Sequence, residues 1–95
     1  MNPQREIVHR LRRRAAQVLR PLGRWDKCKR MVRWDAIASA LARTIPGDLA
    51  DLDLDHVRAL AHFDLTQDAQ VIDAFSLANL QWLRAGTNRR KGARG

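Results

Sequence analysis

The chain has 95 residues, 45% of them hydrophobic, with 18 Lys+Arg against 10 Asp+Glu and a formal charge of +8. That size suits one globular domain. No apolar run nears the ~20 residues of a bilayer-spanning helix, and one cysteine excludes a disulfide framework or a multi-cysteine zinc site. The charge is uneven: +9 over residues 1–34, −5 over 35–85 and +4 over 86–95, which points to a polyanionic partner for the two ends. With no apolar leader at the N-terminus, the expected compartment is the cytoplasm, without membrane contact.

Asn2-Pro3 opens a helix, Asn as cap and Pro in the first turn. Ile7, Val8, Leu11, Ala15, Val18, Leu19 and Leu22 form one stripe at 3.6-residue spacing, and Pro21 and Gly23 end the helix near Arg20. Arg5, Arg12, Arg13 and Arg20 fall on its flank and back, while Arg10 and Arg14 border the other edge of the stripe.

Residues 24–45 contain a repeat, Arg24-Trp25-Asp26 and Arg33-Trp34-Asp35. Trp25, Cys28 and Val32 share one helical face, whereas Trp34, Ile37, Leu41 and Ile45 share another. The change of phase predicts a break near 32–35 with Asp35 as cap, or else one long helix buried on two sides. Ile45-Pro46-Gly47-Asp48 is a stop.

Asp48, Asp51, Asp53 and Asp55 then interleave with Leu49, Leu52 and Leu54. The alternation fits a strand, but with no recognised partner strand the expectation is an acidic loop or short turn of helix, then a helix from Leu54 through Val57 and Leu60 capped by Asp53. Asp64 or Thr66 is expected to cap a last helix with apolar positions Ile72, Phe75, Leu80, Trp82 and Leu83, stopped at Gly86; Ser76 would cap a second half if it breaks. The expected fold is all-α: a bundle of four to five short helices in one domain, residues 1–85, with a basic flexible tail, 86–95.

The first helix carries the strongest functional signal. Arg5, Arg10, Arg12, Arg13, Arg14, Arg20 and Arg24 make a guanidinium surface about 20 Å long. Lys27, Lys29 and Arg30 extend it, and Arg89, Arg90 and Lys91 form a tail clamp. Planar guanidinium forks match phosphate oxygens, and six such contacts on duplex DNA would give a log–log salt slope of about −5. Trp25, among Lys and Arg, is a candidate stacking platform for an unpaired base, although tryptophan at helical spacing also fits a core position.

Other chemistries find less support. A helix-turn-helix would set Asp48, Asp51, Asp53 and Asp55 against phosphates, so any contact is expected to be backbone-directed. Those aspartates do not make a calcium loop, because His56 holds the required glycine position and His62 the bidentate glutamate position. They are a candidate protein-contact patch. His9, His56 and His62 lack metal-ligand spacing, Cys28 reads as packing, and Glu6 is the only glutamate, so no metal, cofactor or enzymatic activity is expected.

The sequence thus predicts a small non-enzymatic protein that binds nucleic acid or a nucleoprotein complex. The alternative is a protein-interaction module. In size, helical content and lack of a catalytic motif the chain resembles small accessory or anti-defence proteins of phages and plasmids, CRISPR inhibitors among them, which implies a host protein or complex as partner. Self-association of basic ends with the acidic middle is a third outcome.

Overall fold

A computed structural model describes residues 2–86. The elements run α1 (Pro3–Leu19), α2 (Trp25–Cys28), α3 (Trp34–Ala42), β1 (Leu52–His56), α4 (Asp68–Ala74) and β2 (Leu80–Arg84), with short 3-10 turns at Leu49–Asp51, Leu60–His62 and Leu77–Asn79. Among the described residues, no helix is long and apolar enough to cross a membrane.

The first helix forms as its sequence predicts. The Asn2 carboxamide accepts from Gln4 N at 3.0 Å, and Pro3 holds the first turn. Ile7, Leu11, Ala15 and Leu19 bury one face. Gly23, at φ +69°, turns the chain out: Gly23 N and Arg24 N return to the carbonyls of Arg20 and Leu19 at 2.9 and 3.0 Å.

The predicted break near 32–35 is present, so the single long helix is excluded. Each half of the repeat starts a helix, with Arg24 and Arg33 as the flanking residues, Trp25 and Trp34 as the first helical positions and Asp26 and Asp35 in the first turns. Asp35 is therefore not the cap but a carboxylate beside the positive helix end. Trp34 is buried, and its Nε1 donates to Lys29 O at 2.9 Å.

The all-α expectation is overturned by an antiparallel pair, β1 with β2, in the register Leu52↔Arg84, Leu54↔Trp82 and His56↔Leu80. The fold is mixed α/β, though mostly helical. Alternation turns Leu52, Leu54 and His56 to the same side as Leu80 and Trp82, leaving Asp53 and Asp55 on the other face. The helix expected from Leu54 to Leu60, with Asp53 as cap, is thus a strand followed by a turn.

The expected last helix is corrected as well. α4 ends at Ala74, and 80–84 is the partner strand that was not recognised, because its apolar residues also fit the helical phase of Ile72 and Phe75. Neither Asp64 nor Thr66 caps α4; Asp64 accepts from Thr66 in a tight turn, and Gln67 precedes the helix without a side-chain cap. Ser76 precedes a 3-10 turn, again without a side-chain cap. In place of the helix stop at Gly86, the chain leaves β2 in helical conformation at Ala85 and Gly86.

One core joins these elements. Ile7, Leu11 and Leu19 of α1 meet Cys28, Trp34, Leu41, Val71, Phe75 and Leu80. Phe75 packs edge-on against Trp34, at 5.8 Å between ring centroids, and against His56 at 5.0 Å.

Candidate nucleic-acid interface and histidine cavity

Tertiary contacts divide the predicted basic surface into parts with different states. Arg5, Arg12, Arg13 and Arg20 stand exposed on the outer face of α1. At 1.5 Å per residue, the row from Arg5 to Arg20 is about 22 Å long. The side chains of Arg5, Arg13 and Arg20 make no hydrogen bond or ion pair with a described residue, whereas the Arg12 guanidinium lies 5.7 Å from the centre of the Trp25 ring. These arginines border a groove of about 810 Å³ whose wall includes Val8, Ala16, Pro21 and Trp25.

Arg10 is elsewhere. It donates to Leu52 O at 2.8 Å, to Leu49 O at 3.0 Å and to Glu6 Oε1 at 3.2 Å, pinning the segment before β1 onto α1. Its guanidinium satisfies backbone carbonyls and is not presented to a ligand. Arg14, exposed, bonds Gln17 Oε1 at 3.2 Å and reaches the rim of a second cavity.

The extension past α1 is largely paired. Arg24 and Lys27 both hold Asp68, and Lys29 meets Asp26 at 3.3 Å. The Lys27 ammonium, and after it the Arg24 guanidinium, hold the Asp68 carboxyl below its ordinary range, and the bond to Asp68 raises Arg24. The side chain of Arg30, exposed, has no such partner among the described residues. Trp25 is half-buried, tilted 50° against Trp34 at 6.2 Å. Cys28 is buried, as its packing position implied. The tail residues Arg89, Arg90 and Lys91 lie outside the described residues.

The acidic stretch is not one patch. Asp48 caps the first 3-10 turn by accepting from Ala50 N at 3.0 Å, and Asp51 is exposed at its end. Asp53 and Asp55 are half-buried on β1 and engaged in interactions of their own.

The second cavity, about 620 Å³, lies between α1 and β1. Arg10, Arg14, Asp53, Asp55 and His56 supply its polar groups; Leu11, Leu54, Leu60 and Phe75 line the apolar side. His56 is only 8% exposed, and its Nε2 is sealed from solvent with no hydrogen-bond partner. Burial lowers its pKa, Asp55 opposes that shift and Arg14 adds to it.

Asn79 fixes the turn after His56. Its Oδ1 accepts from Arg58 N at 2.8 Å; its Nδ2 donates to Ala74 O at 2.9 Å and Arg58 O at 3.2 Å; its carbonyl accepts from Val57 N at 2.8 Å. Sequence reasoning weighed His56 only against metal-binding patterns and passed over Asn79. The signal was a histidine ending an alternating Leu-Asp-Leu-Asp run and an asparagine opening Leu80-Gln81-Trp82, a pairing visible only once both are read as strands.

Among the described residues, no group of three or more His, Cys, Asp or Glu is arranged to hold a metal ion. No known protein family, curated protein or solved structure matches the chain, which leaves the chemistry of these side chains as the ground for a functional reading.

Proposed function

We propose that the protein binds nucleic acid through the phosphate backbone, with the outer face of α1 as its platform. The observation that carries this reading is the row Arg5, Arg12, Arg13 and Arg20, in which no guanidinium is paired with a described carboxylate. Phosphate oxygens suit such forks, and a row of single-sign charge draws a polyanion from a distance. Contacts of this kind hold the backbone without reading sequence.

A salt titration with generic single- and double-stranded DNA and RNA tests it. Affinity should fall steeply with salt and drop at least tenfold in R13A/R20A. Binding no tighter than millimolar at about 50 mM salt overturns the proposal. A protein partner captured from nuclease-treated lysate, dependent on Asp51 and indifferent to Arg13, would replace it with the interaction-module reading.

A further inference from the structure

We infer that the groove beside α1 takes an unpaired nucleotide, which makes single-stranded nucleic acid the preferred ligand class; this rests on the binding reading above. The groove is amphipathic in the way a nucleotide is. Its wall carries Ala16, Pro21 and the Trp25 indole, while Arg12, Arg13 and Arg20 stand along the same helix. A duplex keeps its base faces inside the stack and presents phosphates, sugars and base edges, so it gains nothing from an indole. A single strand offers both an exposed π-face and a phosphate.

Trp25 is prepared for that contact. Trp34 braces it from the core at 6.2 Å, and Trp34 is itself fixed by burial and by its bond to Lys29 O. The guanidinium of exposed Arg12 lies over the Trp25 ring, 5.7 Å from its centroid, so the face a base would use is covered by a side chain and not by the core. A base takes that position, and Arg12, with no carboxylate to hold it, moves to the adjoining phosphate.

The test compares three fluorescent ligands at about 50 mM salt: a ~12-nucleotide oligothymidine, an abasic strand of equal length and charge, and the corresponding duplex. Oligothymidine should bind at least about fivefold more tightly than the abasic strand, and W25A should erase that difference while W25F keeps most of it. Thermal melting of each variant separates lost stacking from lost folding. Equal affinity of the intact protein for oligothymidine and the abasic strand overturns the stacking inference and leaves phosphate binding standing. A failure of all three ligands to bind removes the nucleic-acid reading and this inference with it.

Discussion

Replacing Arg10 by alanine should destabilise the fold while leaving the binding surface intact. Its guanidinium donates to Leu52 O and Leu49 O, and its side chain is 27% exposed, so the carbonyls it serves are partly shielded from water. A hydrogen bond to a charged group contributes about 1.5–3 kcal/mol. Two such bonds, discounted because water reaches part of the site once the side chain is gone, give about 2–3 kcal/mol. For a domain of this size that is a drop in Tm of about 10–20 °C. Arg13→Ala, on the exposed outer face, should stay within about 0.5 kcal/mol of the parent. Urea unfolding and thermal melts of both variants, beside their affinities for a generic oligonucleotide, decide the matter. R10A should lose stability and R13A affinity; an R10A melt indistinguishable from that of R13A refutes the structural role of Arg10.

Further expectations follow from the same geometry. Four outer-face arginines engaged on duplex DNA give a log–log salt slope of about −3.6, and R13A/R20A should reduce its magnitude by about two, read from titrations at several salt concentrations. Because the folded pKa of His56 lies below its unfolded value of about 6.5, the unfolded chain binds the extra proton first. Its contribution is complete above pH ~6.5 and is lost as the pH falls through the folded pKa; urea midpoints from about pH 7.5 to 5 should fall in the parent and less in H56Q. Asp64 and Asp68, with lowered pKa values, contribute above their unfolded values and lose that contribution at more acidic pH, which keeps the two windows apart. Asn79→Ala removes side-chain bonds that tie the turn after His56 to α4 and should cost about 1–3 kcal/mol, with loss of hydrogen-exchange protection at Arg58, whose amide donates to Asn79 Oδ1, while Val57 keeps its main-chain acceptor. Trp34→Ala, at a buried position bridging Trp25 and Phe75, should cost about 3–5 kcal/mol by calorimetry.

The sequence by itself determined whatever depends on neighbours along the chain. The Asn2-Pro3 start, the buried stripe of α1 and the break between the two Arg-Trp-Asp units are local in cause: a cap, a 3.6-residue period, a phase change. The outer arginines of α1 were legible too, since an exposed helix face follows from its buried one. Tertiary structure decided the rest. Whether Leu52–His56 is a strand depends on a partner 24 to 32 residues away, as His56 opposite Leu80 and Leu52 opposite Arg84 illustrate. Five residues with alternating or mixed apolar character satisfy either period until the ladder hydrogen bonds form. The same holds for charge: adjacent arginines on one helix met different fates because carbonyls from Leu49 and Leu52 arrived beside Arg10 and none beside Arg13. His56 acquired its burial, its orphaned Nε2 and its neighbours Arg14 and Phe75 only from tertiary contacts between segments distant in sequence. Among the described residues, basic side chains thus divide between those that hold the fold together, as Arg10 does, and those left facing solvent, as Arg5, Arg13 and Arg20 are.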